Sequence, residues 1–124
     1  MPRILLMDGD VERQRALAGV LVMAGYEVRC AQYHEVLRLL QDLQPDLLLM
    51  ELVMEEGDGF ELMRSMESLG WSGKLVFMAG GEASHAEFLL SMTLDLGAHA
   101  TLKRPFSDER LLECVRRCLS CPGG

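Results

Sequence analysis

Five times along its 124 residues the chain alternates a short apolar run with a longer amphipathic stretch, and that alternation leaves it very few folds. RILLMD (3–8) is a run of aliphatics too short for a helix, and it predicts a strand buried on both faces. Residues 11–24 place Val11, Leu17, Val20, Leu21 and Ala24 at helical spacing, and Gly25 closes that helix. EVRCA (27–31) alternates, which predicts a second strand nearer a sheet edge with Cys30 in the core. Residues 33–43 carry Val36, Leu37, Leu40 and Leu43 on one helical stripe, stopped by Pro45. DLLLME (46–51) is the most apolar run and belongs at the centre of the sheet. After the loop LVMEEGDG, a helix is expected from Asp58 to Leu69, with Asp58 as its cap. KLVFM (74–78) predicts the fourth strand, AGGEAS a flexible loop, and residues 84–96 the fourth helix. HATL (99–102) predicts a short fifth strand, KRPF a turn, and Ser107 the cap of a last helix ending near Leu119.

Strict alternation of this kind implies right-handed crossovers and a doubly wound five-stranded parallel sheet, (βα)5, with helices on both faces in three layers. No repeat, low-complexity tract or linker interrupts the pattern, so one domain is expected over residues 1–124, with its core at about 3–119. In such sheets the site lies outside the carboxyl ends of the strands, where the strand order reverses. The residues placed there are Asp8, Gly9, Asp10, Glu51, Ala79, Gly80, Lys103 and Arg104. Glu51 is the most pointed of them, a carboxylate at the end of the most buried run.

The charge balance narrows the function classes. Nineteen acidic residues against 12 basic ones give a net charge of -7, which argues against direct binding to nucleic acid or to an anionic membrane. No stretch has the length of a membrane helix, and the start of the chain does not read as a signal peptide, so a cytoplasmic location is expected. Three of the four cysteines, Cys114, Cys118 and Cys121, fall at i, i+4 and i+7 of the last helix. Zinc wants four ligands, and His34, His85 and His99 lie far off in sequence, so the cysteines read as small, partly buried apolar residues. Asp10 reads as the cap of the first helix. Gly80-Gly81 lacks the lysine of a phosphate-binding loop. The methionines, Met50, Met54, Met63, Met66 and Met78 among them, read as core filling.

The segments ILLMDGD, PDLLLMELVMEEGDGFELMRSM, KLVFMAG and LGAHATLKRPF, in this order, resemble the receiver domain of two-component response regulators. The resemblance covers Ile4 to about Leu119 and implies the CheY-like, flavodoxin-like fold. It also implies a phosphoryl transfer from a phosphohistidine to an aspartate that ends the third strand. Acidic residues after the first strand help hold Mg2+, and a hydroxyl and a lysine grip the phosphoryl group. By that resemblance Glu51 stands at the phosphoacceptor position, Gly9 at the second acidic position, Ala79 at the hydroxyl position and Arg104 at the lysine position. Thr101 stands where the family often carries a switching aromatic.

These departures imply a degenerate site, a pseudo-receiver without efficient phosphotransfer: not an enzyme, and with no resident cofactor. Asp8, Asp10 and Glu51 remain as a weak Mg2+ set, expected to be unoccupied. An ion pair from Arg104 to Glu51 or Asp8 is expected in place of metal and phosphate. The implied role is a phosphorylation-independent interaction module whose partners are a histidine kinase, a phosphotransfer protein or an output domain. The fourth helix is unusually apolar, so a docking or homodimer face is expected on the fourth helix, fifth strand and fifth helix, at Phe88, Met92, Thr101, Arg104 and Pro105. The rival reading is a receiver that accepts a phosphoryl group weakly at Glu51 with Mg2+. A redox or metal-sensing role for the terminal cysteines ranks third.

Overall fold

The computed structural model describes residues 1–80 and 85–121. In chain order its strands are β1 (Arg3–Met7), β2 (Glu27–Cys30), β3 (Leu47–Glu51), β4 (Val53–Met54), β5 (Gly57–Asp58), β6 (Lys74–Gly80) and β7 (Ala100–Arg104). The helices are α1 (Val11–Met23), α2 (Val36–Leu43), α3 (Gly59–Met66), α4 (Ala86–Asp95) and α5 (Asp108–Ser120), with a 3-10 turn at Tyr33–Glu35 before α2. The main sheet is parallel throughout, in the order β2-β1-β3-β6-β7. This is the doubly wound sheet expected from the alternation, with its order reversing between β1 and β3.

The period-2 geometry of the strands divides the core in two. Leu5 and Met7 of β1, Leu48 and Met50 of β3, and Leu75 and Phe77 of β6 pack with residues of α2, α3 and α4. Ile4 and Leu6, Leu47 and Leu49, and Val76 and Met78 pack on the other face with Leu17 and Leu21 of α1 and Leu111 and Val115 of α5. Every residue of β3 is buried, because the strand is flanked by sheet on both sides and by helices on both faces.

Several local expectations change. Cys30 is exposed rather than in the core, because β2 is the sheet edge and only Val28 of that strand is partly covered. Val11 is exposed too: it stands about 120° around α1 from Leu17, which faces the sheet. KRPF is not simply a turn, since Lys103 and Arg104 continue β7 and pair with Ala79 and Gly80. Gly80 permits this close approach: it sits at φ 150°, and a Cβ there would lie 2.6 Å from the Arg104 carbonyl oxygen. The loop after β3 contains an unexpected antiparallel pair, β4 with β5. Tyr33 explains it, donating from its hydroxyl to the Asp58 carbonyl at 3.1 Å and packing where a side chain on Gly57 would sit. The expected loop at AGGEAS lies outside the described residues beyond Gly80, as does the expected first residue of the fourth helix. Among the described residues no helix is long and apolar enough to cross a membrane.

Candidate functional site at the carboxyl ends of β1 and β3

Met7 lies opposite Met50 in the ladder, so Asp8 and Glu51 leave adjacent strands side by side at the reversal of strand order. Both carboxylates are buried, the Asp8 side chain completely and that of Glu51 to within 10%. Burying two like charges together is unfavourable unless donors and cations surround them. The chain supplies both. The Gly9 amide donates to Glu51 Oε1 at 3.0 Å, and the Asp10 amide donates to Asp8 Oδ1 at 2.9 Å.

The cations are two guanidinium groups. Arg13 reaches back from the first turn of α1 and grips Asp8 bidentately, Nε to Oδ2 at 2.7 Å and Nη2 to Oδ1 at 2.8 Å. The same Nη2 donates to Glu51 Oε2 at 3.0 Å, so one side chain spans both carboxylates. Arg104, at the end of β7, donates from Nη2 to the same Glu51 oxygen at 2.7 Å. Two carboxylates therefore face two guanidiniums and their formal charges cancel. The hydrogen bonds to Asp8, with the nearby charges of Asp8, Glu51 and Asp10, hold the Arg13 pKa above its ordinary value. Nη1 of Arg104 is buried with no hydrogen-bond partner among the described residues.

The structure thus brings together Asp8, Glu51 and Arg104 among the residues singled out from the sequence. Asp10 is not part of the cluster in the way expected of a metal ligand. Its side chain caps α1, accepting from the Arg13 amide at 3.1 Å, because the four unpaired amides of a helix start need acceptors. Among the described residues no three His, Cys, Asp or Glu side chains are grouped to hold a metal ion. Asp58 likewise caps α3, accepting from the Glu61 amide. Ala79 is buried at the end of β6 and brings no hydroxyl. Gly9 leaves room for Glu51: a Cβ there would stand 3.3 Å from Glu51 Oε1.

Arg13 is the site residue that sequence reasoning missed. A signal did exist, because a cation in the first turn of a helix opposes the macrodipole and needs a nearby anion to justify it. Asp8, five residues back at the strand end, was the available anion.

Of the expected docking residues, Phe88 and Met92 stand on α4, Thr101 and Arg104 on β7, and Pro105 just after it. Phe88 is 64% exposed on α4, and Met92, Leu94 and Leu96 are exposed with it. Lys103 Nζ pairs with Glu87 Oε1 at 2.6 Å and joins β7 to α4. Thr101 is half-buried and Pro105 is exposed, whereas the Arg104 side chain is mostly buried against Glu51. Cys114 and Cys118 are buried on α5, and Cys121 is exposed.

The family model of the response regulator receiver domain matches residues 4–116. The transcriptional regulatory protein CpxR of Klebsiella pneumoniae subsp. pneumoniae (strain HS11286) is 30% identical over 119 residues, covering 96% of this chain and 50% of that protein. The response regulator MprA of Mycobacterium sp. (strain KMS) is 32% identical over 118 residues, covering 94% and 50%. The chain thus spans about half the length of these curated relatives. Among solved structures, a CheY-like response regulator receiver domain protein from Methanospirillum hungatei JF-1 superposes with a TM-score of 0.82 at 28% identity, covering 96% of this chain and 94% of that one.

Proposed function

The chain belongs to the response regulator receiver domain family, and on that premise we propose that it is a regulatory interaction module of two-component signalling whose activity does not depend on phosphorylation. The observation that carries this reading is the Arg13 guanidinium, hydrogen-bonded to Asp8 and Glu51 at once. In the chemistry implied by the resemblance, a divalent cation would stand between the acidic residues and a phosphoryl group would be built on the residue at position 51. Here a side chain fills the space between the two carboxylates, and the third candidate ligand, Asp10, is committed to a helix cap. Mg2+ wants a near-octahedral shell of oxygens, and this donor set does not fit it.

The other departures act in the same direction. Glu51 is a methylene longer than aspartate, and its carboxylate is already held by the Gly9 amide and two guanidiniums. Misplacement of a reacting group on the order of 1 Å can cost a hundredfold in rate. Ala79 offers no hydroxyl to a phosphoryl oxygen. Every carboxylate oxygen of Asp8 and Glu51 already accepts from a donor within the chain, and these bonds join α1, β1, β3 and β7.

The partner is a histidine kinase, a phosphotransfer protein or an output domain. The last is favoured by the relatives being about twice as long as this chain. The docking face in this reading is α4, β7 and α5, where Phe88 and Met92 are exposed, and a second copy of the chain can occupy it. The cytoplasm is the compartment that such partners imply.

The test is to record amide NMR spectra while adding beryllofluoride and Mg2+. The expected result is no saturable shift near Glu51 and Ala79. Saturable shifts there would overturn the proposal in favour of a receiver that accepts a phosphoryl group at Glu51.

A further inference from the structure

β2 closes one edge of the sheet, and among the described residues no strand pairs with its outer side. The Glu27 amide donates to the Pro2 carbonyl at 3.0 Å and the Ala31 amide to the Leu6 carbonyl at 2.9 Å. Backbone groups of alternate residues point to opposite edges of a strand, so the amides and carbonyls of Val28 and Cys30 turn outward. An open edge of this kind is a template for another strand. Glu27, Arg29 and Cys30 are exposed along it and Val28 is half-buried. Val28 packs on the α1 side of the sheet, so Glu27 and Arg29 turn to the α2 side.

The helix above the edge carries apolar residues on the matching side. Ala16, Val20 and Ala24 of α1 turn towards α5, where they line a groove with Asp108 and Leu112. From the pitch of a helix, Val11, Ala18 and Val22 fall together about 160–180° around α1 from Val20, on the side of the open edge. Val11 is 60% exposed and Val22 55%. Two apolar side chains therefore stand uncovered above an unpaired strand, and packing within the chain accounts for neither.

We propose that this edge pairs with the same edge of a second copy of the chain, β2 antiparallel to β2 about a two-fold axis through Val28. Five strands from each copy then form one continuous sheet. Opposed residues of an antiparallel pair share a face, so the axis passes through a residue and not between two. Placed at Val28, it sets Glu27 of each copy opposite Arg29 of the other, giving two ion pairs on the α2 side. Placed at Glu27 or at Arg29, it would set like charges opposite each other, which destabilises a sheet. Charge thus selects the register. Arg3 meets Glu27 through Oε2 at 3.3 Å, and Oε1 faces no donor among the described residues.

The same register satisfies the backbone and covers the apolar side. Val28 exchanges its outward amide and carbonyl with Val28 of the second copy, and Cys30 comes opposite Tyr26. Above them the two α1 helices approach along Val11 and Val22, with the small Ala18 between. A net charge of -7 makes two copies repel in general, yet β2 is balanced, one glutamate against one arginine. β2 and β7 are opposite edges of the sheet, so this pairing leaves α4, β7 and α5 of both copies open to the partner of the proposed function. It holds whether or not the Arg13 cluster silences phosphorylation.

The test is sedimentation equilibrium across a concentration series at about 0.15 M salt, where long-range repulsion between acidic chains is screened. Every chain also carries Phe88→Ser, so that association through α4 does not enter. The Phe88→Ser chain is expected to dimerise. Adding Glu27→Arg or Arg29→Glu should weaken dimerisation about tenfold or more, because both ion pairs become like-charge pairs. Mixing the two charge-reversal chains one to one should restore it, since both pairs of the mixed dimer then join opposite charges. Val22→Lys, in the last turn of α1 where the macrodipole favours a cation, should also weaken it about tenfold or more. A monomeric Phe88→Ser chain, dimerisation unchanged by either reversal or by Val22→Lys, or a mixture no stronger than its components would each overturn the proposal. Glu27 and Arg29 are exposed, and recovery on mixing separates a broken interface from a misfolded chain.

Discussion

Arg13 is a cation at the third position of α1, where the macrodipole disfavours positive charge by roughly 0.3–1 kcal/mol. Its three hydrogen bonds to Asp8 and Glu51 offset that cost and neutralise two buried carboxylates. Arg13→Gln should therefore destabilise the protein by about 2–3 kcal/mol in urea unfolding. Breaking a fully buried pair costs roughly 3–5 kcal/mol, and the figure is lower here because the Arg13 side chain is 34% exposed. A loss below about 0.5 kcal/mol would show that the cluster contributes little. Arg13→Lys should recover only part, since an ammonium cannot supply the planar fork that spans both carboxylates. Gly9 and Glu51 form a second, steric unit. Gly9→Asp adds a Cβ 3.3 Å from Glu51 Oε1 and a third carboxylate, whereas in a Glu51→Asp background the shorter side chain withdraws. A double-mutant cycle should give a coupling of at least about 0.5 kcal/mol, and simple additivity would count against the pairing of these two residues. Glu51 and Arg104 were legible in the sequence because strand ends can be located from apolar runs. Arg13 was legible only through its position as a cation in a helix's first turn, since spacing does not encode a long side chain folding back from the helix.

Among the elements, the five sheet strands and the central place of β3 were readable, since burial on both faces writes continuous aliphatic runs into the sequence. The β4–β5 pair was not: two-residue strands are too short for periodicity, and Tyr33, far away in sequence, shapes the turn. The length of β7 was underestimated because Pro105 suggested an earlier stop, while Gly80 on the neighbouring strand lets the ladder run on to Arg104. The start of β7 is fastened to β6 through His99, whose amide donates to the Leu75 carbonyl at 2.8 Å and whose Nδ1 accepts from the Leu75 amide at 3.0 Å. Desolvation, aided by the charge of Lys74, lowers the His99 pKa below its ordinary value. The unfolded chain then binds the proton more readily than the folded one. The stability His99 contributes is therefore complete above a pH of about 6.5 and is lost as the pH falls towards the depressed folded value. His99→Asn keeps an acceptor for the Leu75 amide without a titrating ring. Between about pH 7.5 and 5.5 the wild-type melting temperature should fall more steeply than that of His99→Asn, and parallel curves would remove His99 from the account.

At the scale of the whole molecule, the reversal of strand order puts Asp8 and Glu51 in one crevice, and the two guanidiniums tie that crevice to α1 on one side and β7 on the other. From β7 the connection continues through Lys103 and Glu87 to α4, whose outer side carries the exposed Phe88. The site and the proposed docking face are thus joined by named contacts, yet they should respond differently to substitution. Arg104→Ala removes one of the two cations on Glu51 and leaves a gap where a mostly buried side chain stood, so it should lower the melting temperature and shift amide resonances of β7 and α4. Phe88→Ser removes a side chain that is 64% exposed, so unfolding free energy should stay within about 0.5 kcal/mol of wild type. If α4, β7 and α5 form the interface between copies of this chain, sedimentation across a concentration series should nevertheless show self-association weakened about tenfold or more by Phe88→Ser, because buried aromatic anchors carry much of an interface's energy. Unchanged self-association in that variant would move the interface elsewhere. A large drop in stability would instead mean that Phe88 is held by packing within the chain, and α4 would lose its claim to be a docking surface.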